Sequence, residues 1–522
     1  MRNFFNLVKI QFLSYFGINK LLHSKKRTKI AGGLLLITVA LIFAAALIWF
    51  GYTYSDIFAT ALVVYGNVLE VIPIMLSISG LVCFFFAFYS TSNVLYCFKD
   101  YDMVSAMPIK TRVVVLSKLV YIYVADVLFM ALISIPSLFV YVKNGGAADL
   151  ALVVRTSLLI ISLPAFSLSL AVIVGTLVSL ASARFRRKNV VQIILLFAFF
   201  IGIFMISFLS GSGEMINIGE SIGEIYFIYP SVVKAVSDSG VAAALCAGCI
   251  ALAAAVTFAV CIGYKRMNTM LASRRTVGKF RLKNYSWQSQ SKCFFKKEAG
   301  RLFSVPTYAV NALFGCVMSL IAAVALAWVC ARVDGAKEGI KVLIVFTPSL
   351  YAFMHMLSPT TSCSVSLEGK SIWLIKTLPV NLNNYLGAKL GVNALFNALS
   401  AFVSSLIISI AASLSVPQAA LVIIVAVTAA LSGGNIGLLF DLKFPTLKWE
   451  SENKPVKQGT AMFLSMLTAL VLSIVFFLIS CYSGLSVVAV LGVSASVTVI
   501  LAVTTFILVF TEGKKLINRI DG

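Results

Sequence analysis

Two stretches 271 residues apart mix charged, aromatic and turn-forming residues between long apolar runs. The first is CFKDYDMVSAMPIKTRVVVLSKL (97–119) and the second EGKSIWLIKTLPVNLNNYLGAKL (368–390). At that offset Lys99 aligns with Lys370, Met107 with Leu378, Pro108 with Pro379 and Ile109 with Val380. Lys118-Leu119 aligns with Lys389-Leu390, and Asp126 with Asn397. Charges beside Tyr101, Met103 and Val104, or beside Ile372, Trp373 and Leu374, suit a short amphipathic helix with one side open to a protein partner. The proline then stops that helix and redirects the chain. The residues on which such a grip would rest are Lys99, Asp100, Asp102, Met103 and Pro108, and Glu368, Lys370, Trp373, Lys376 and Pro379. An ordinary amphipathic connector is the bland alternative.

Bond-making chemistry finds little support. The chain has two histidines, His23 and His355, and neither sits in an HExxH pattern or a cluster. There is no GxxxxGK[ST] phosphate loop, and no paired acids or Ser/His set in the apolar runs. Catalysis, a bound cofactor and a metal are therefore not expected. Asp126, in VYIYVADVLFMA, is the one carboxylate clearly inside an apolar run. Intramembrane acids are costly and count as functional candidates. Its mate Asn397 is neutral, which argues against an obligate proton carrier and favours packing or capping. The CAGC run at Cys246–Cys249 lies in an apolar helix without a histidine neighbour, so small packing residues are the expectation.

The elements that must position these residues follow from composition. Of 522 residues, 60% are hydrophobic and 12% charged, with a mean hydropathy of +1.00. Such a chain is an all-α polytopic membrane protein, because long apolar runs satisfy their backbone in lipid only as helices. Hydropathy predicts about 12 transmembrane helices: 30–52, 71–90, 119–142, 157–183, 190–209, 241–263, 308–330, 342–357, 390–414, 418–440, 460–481 and 487–510. The net charge of +23 does not indicate a nucleic-acid partner. With the N-terminus in the cytosol, 36 of the 42 Lys and Arg fall on cytosolic segments, the positive-inside pattern. A multi-pass plasma-membrane protein with both termini cytoplasmic is expected, and no cleavable signal peptide is apparent.

Two basic, aromatic stretches flank the spans. In residues 1–29, Asn3, Asn6, Lys9 and Ser14 share one side of a helical wheel, while Phe4, Phe5, Val8 and Phe12 take most of the rest. That pattern predicts an amphipathic interfacial helix. Residues 264–305 hold eleven Lys or Arg against Glu298 alone and end in FFKKEAGRLF, a second such helix. The chain thus divides into a first six-span half, 1–284, with a basic linker, and a second, 285–522. Six is even, so the two six-helix repeats are parallel, each preceded by an amphipathic interfacial helix. The outer loop 210–240 contains YFIYPSVVKAV, apolar enough to return to the membrane as a short helix.

This layout resembles the type-2 ABC transporter permeases, in the fused double-length form common in Firmicutes. KIQFLSYFGINKLLHSKK (9–26), SLEGKSIWLIKTLPV (366–380) and FPTLKWESENKPVKQ (444–458) carry the resemblance, which extends over the whole chain. It implies a permease subunit paired with two copies of a separate ABC ATP-binding subunit, which would hold the ATP and Mg. Segments 96–107 and 366–378 would couple the two, and export of an amphipathic, lipid-like or peptide cargo is implied. A secondary transporter of major-facilitator type shares the six-plus-six layout. The chain lacks that family's GxxxDRxGRR pattern and almost all coupling acids.

Overall fold

The computed structural model describes residues 2–15, 27–63, 67–91, 94–95, 101–147, 149–183, 190–191, 193–195, 197–198, 201, 226–273, 288–332, 336–357, 359–449 and 452–520. Among them the regular structure is all helical, with no strand. Ten segments among the described residues are long and apolar enough to cross a bilayer, consistent with an all-α polytopic membrane protein. The expected span 30–52 lies within a longer helix, Arg27–Val63, and most of 190–209 lies outside the described residues.

The first compact unit comprises residues 1–186 and 205–277. It opens with α1 (Arg2–Tyr15) and α2 (Arg27–Val63), then α3 (Val71–Thr91) and the short α4 (Tyr101–Ala106). Long helices α5 (Thr111–Lys143) and α6 (Leu150–Ala183) follow, then α7 (Tyr229–Ser237) and α8 (Ser239–Ser273). The short helix expected in the 210–240 loop is α7, its Pro230 in the first turn where a missing N–H costs nothing. Its Val232, Ala235 and Val236 pack with Ile72, Leu76 and Leu159. The amphipathic α1 lies against α5, where Gln11 Nε2 donates to Ser117 Oγ at 3.2 Å.

The second unit comprises residues 187–204 and 278–522. Ile193 and Phe197 pack here with Leu302, Tyr308 and Val392. Its elements are α9 (Gln290–Ser304), α10 (Pro306–Arg332), α11 (Ala336–Leu343), α12 (Thr347–Met356) and α13 (Trp373–Thr377). Then come α14 (Leu382–Asn393), α15 (Leu399–Ala411), α16 (Val416–Lys443), α17 (Asn453–Gln458), α18 (Thr460–Tyr482) and α19 (Val487–Arg519). A five-residue π-helical turn, Ala394–Ala398, joins α14 to α15.

The expected span 342–357 is a broken one. α11, a 3-10 turn at Ile344–Phe346 and α12 follow one another without a gap, and the segment Lys337–Thr377 that contains them is among the ten long and apolar enough to cross. Pro348 lies in the first turn of α12 and Pro359 follows its end, and the chain continues as 3-10 turns at Thr360–Cys363 and Ser366–Ile372 before α13. Residues 359–369 of this irregular stretch are all buried.

Candidate coupling site

Because 359–372 leaves the α-helix, its buried backbone groups need other partners. Polar side chains from α14, α16 and the segment after α16 supply them. Asn393 Oδ1 accepts from Thr360 N at 3.2 Å, and Thr361 Oγ1 donates to Gly434 O at 2.5 Å. Asp441 accepts from Val365 N at 2.6 Å, Ser366 N at 3.1 Å and the Ser366 hydroxyl. Trp449 Nε1 donates to Ser366 O at 2.8 Å and Thr446 N to Ser366 Oγ at 2.8 Å. Gly369 then turns the chain with φ +55°, its α-carbon facing the Trp449 indole. Only glycine takes that backbone without strain.

This turn delivers Glu368 inward, 5% exposed, into an ion cluster. Lys297 donates to both its oxygens, at 3.0 and 2.9 Å, and Arg301 to one of them at 3.0 Å. Lys389 lies 3.5 Å from Glu368 and 3.0 Å from Glu298, and donates to Ser364 O at 2.9 Å. Arg301 also reaches Glu298, at 3.4 Å. For the Arg301 guanidinium, burial opposes the charge. The Glu368 bond and the Glu298 and Glu368 charges outweigh burial, so its pKa stands above the ordinary value. Three cations and two anions thus lock α9, the 364–369 turn and α14 together. Such a lock fixes geometry more than it adds stability, because desolvation offsets much of the attraction.

With Glu368 held inside, the outer face of the segment is different chemistry. Ile372 and Ile375 pack into the core beside Tyr385 and Leu386. Trp373 (54% exposed), Leu374, Leu378, Lys370 and Pro379 face outward. Lys376 turns toward the end of α19, donating to Asn518 O at 3.3 Å and to Ile520 O. The result is a basic, apolar patch on a short helix whose far side is pinned.

In the first unit, Lys99 and Asp100 lie outside the described residues, as do the side chains of Asp102 and Met103 within α4. Pro108 and Met107 are exposed between α4 and α5. Proline ends the short helix at both places: α4 stops at Ala106 before Pro108, and α13 at Thr377 before Pro379. Lys118, 2% exposed, donates to Val94 O at 2.8 Å and to Tyr264 Oη at 3.0 Å. Its counterpart Lys389, 1% exposed, makes the same kind of bond to Ser364 O. Tyr101 of α4 meets the Tyr264 ring edge-on at 5.9 Å. A buried lysine therefore ties the start of the post-proline helix to the preceding turn in each unit.

The intramembrane pair differs in its surroundings. Asn397, in the π-turn, accepts from Cys316 Sγ at 3.0 Å, donates to Asn393 Oδ1 at 2.9 Å and lies 3.4 Å from His355 Nδ1. Asp126 is fully buried, and neither carboxylate oxygen has a hydrogen-bond partner among the described residues. Cys246 and Cys249 are free thiols, Cys246 donating to Ser162 Oγ at 3.2 Å. Sequence reasoning did not single out Lys297, Arg301 or Asp441. The buried lysines were visible only as identities in the repeat.

Comparison with family models, curated proteins and solved structures finds no match to this chain. Fold and hydropathy define a multi-pass helical membrane protein with a pinned amphipathic segment between two spans.

Proposed function

We propose that this chain is the membrane-spanning permease subunit of an ATP-driven ABC transporter, with ATP hydrolysis supplied by two copies of a separate ATP-binding subunit. On this reading the chain is two parallel six-helix repeats in the plasma membrane, with both termini in the cytoplasm. The observation that carries the reading is the duplicated junction. In each unit an amphipathic helix rests on the first turns of a post-proline helix, α1 on α5 and α9 on α14. In each, a buried lysine 271 residues apart donates to the turn before it. A force applied at α13 would reach α14 through the peptide chain and α9 through Glu368, because neither contact can yield without stranding a buried charge.

The outward patch around Trp373 is the surface offered to the ATPase, and Met107 and Pro108 mark the corresponding place in the first unit. Aromatic anchors of this kind dominate binding energy at protein interfaces. The cargo is proposed to be amphipathic, lipid-like or peptide, with export as the direction. An apolar cavity of about 230 Å³ between α10, α12 and α15, lined by Leu326, Leu350, Tyr351 and Ile408, supports an apolar cargo surface. A photo-crosslinker placed at position 373 in native membranes tests the reading. Capture of a nucleotide-binding polypeptide supports it; crosslinks only to lipid or to this chain reject it.

A further inference from the structure

The segment after α16 builds a second feature that the coupling reading does not use. The α16 helix ends at Lys443, and Phe444–Trp449 turns back beside the end of α19. Between them opens a cavity of about 590 Å³. Leu442, Leu447 and Leu516 form its apolar part, and Lys443, Lys448 and Arg519 its charged part. No acid lines it among the described residues, and none of the three cations forms an ion pair there. Lys376 already serves the α19 carbonyls at Asn518 and Ile520. Among the described residues the lining carries the three cations, set against only the partial negative charge of the two helix C-termini. The cavity sits at the ends of two helices long and apolar enough to cross a membrane.

We propose that this cavity is a binding site for an anionic phospholipid of the adjoining leaflet. Its phosphate is held by Lys443, Lys448 and Arg519, and the first carbons of its chains lie on Leu442, Leu447 and Leu516. A soluble phosphate would leave the leucines bare, and an acidic peptide would have to enter at the membrane boundary. The lipid satisfies both halves of the cavity. The site requires only that α16 and α19 span the membrane, so it stands or falls separately from the ATPase partnership.

The test is native mass spectrometry of the purified full-length chain after exposure to vesicles of equal phosphatidylglycerol and phosphatidylcholine. The wild type retains one phosphatidylglycerol in preference to phosphatidylcholine. Replacing each cation by Gln weakens retention ~5-fold, and all three together roughly 100-fold. Leu516→Trp, which fills the cavity and leaves the charge unchanged, removes the retained lipid as well. Undiminished retention in the triple variant overturns the proposal. So does retention in Leu516→Trp, which would mean diffuse attraction to a basic surface. Displacement of the lipid by equimolar glycerol phosphate would assign the site to soluble anions and also overturns it. A salt titration of the wild type needs no substitution: phosphatidylglycerol retention falls as salt rises, and salt-independent retention counts against the site.

Discussion

Replacing Lys389 by Met keeps the length of the side chain and removes one cation from the buried cluster. Glu298 then loses a partner at 3.0 Å and keeps only Arg301 at 3.4 Å, while Glu368 keeps Lys297 and Arg301. The Ser364 carbonyl loses its donor too. At an effective dielectric of 20, each lost pair is about 5 kcal/mol of attraction before desolvation. Desolvation relief returns part of this, and stranding one member of a buried pair costs a net of about 3–5 kcal/mol. Glu298→Gln alone likewise takes from Lys389 its partner at 3.0 Å and leaves it Glu368 at 3.5 Å. The double variant removes one charge of each sign, so it is expected to be more stable than the sum of the singles by about 2 kcal/mol. Denaturant unfolding of the purified full-length chain in detergent measures all four corners of this cycle. Additivity within about 0.5 kcal/mol would refute the cluster as a coupled unit.

Other consequences follow from single positions. Gly315→Ala would put a methyl 1.7 Å from the Met354 carbonyl, so α10 and α12 must separate. Its unfolding free energy should drop by about 1–3 kcal/mol, whereas Gly248→Ala, with open space around it, should not lower stability. Gly369→Ala strains the positive-φ turn and presses on Trp449. A loss of about 1–2 kcal/mol is expected by the same unfolding measurement, and the proposed permease reading adds weaker capture of an ATP-binding partner because α13 shifts. Asp126→Asn installs the residue found at its repeat mate and should leave the unfolding midpoint unchanged or raised. A large loss would assign Asp126 a partner or an ion. A membrane-impermeant maleimide should label exposed Cys481 in intact cells and exposed Cys293 only after lysis; the reverse pattern would invert the orientation.

Much of the membrane architecture was legible because lipid imposes a simple rule on sequence. The expected 418–440 and 460–481 lie inside α16 and α18 with ends within a few residues, and the amphipathic 290s form α9. Hydropathy started two spans too late, at 119 and 390, where α5 and α14 begin at Thr111 and Leu382. Lys118 and Lys389 depress the hydropathy there, yet both are buried in the helix because carbonyls and acids meet them. The proline stops were legible because their effect is local. The orientation of Glu368 was not: a charged residue in an amphipathic stretch reads as solvent-facing. Its partners Lys297 and Arg301 lie about 70 residues away in sequence, and Gly369 turns it toward them. Asp441 was hidden for the same reason, its role being to accept from backbone that no local pattern marks as irregular.

The most direct test is to pull the tagged full-length chain from its native membrane and assay the eluate for ATP hydrolysis. The account predicts a nucleotide-binding polypeptide recovered in stoichiometric amount, hydrolysis that vanishes when it is stripped away, and weaker recovery with Trp373→Ala. Recovery of the chain alone, with no companion and no hydrolysis from mild detergent, would contradict it.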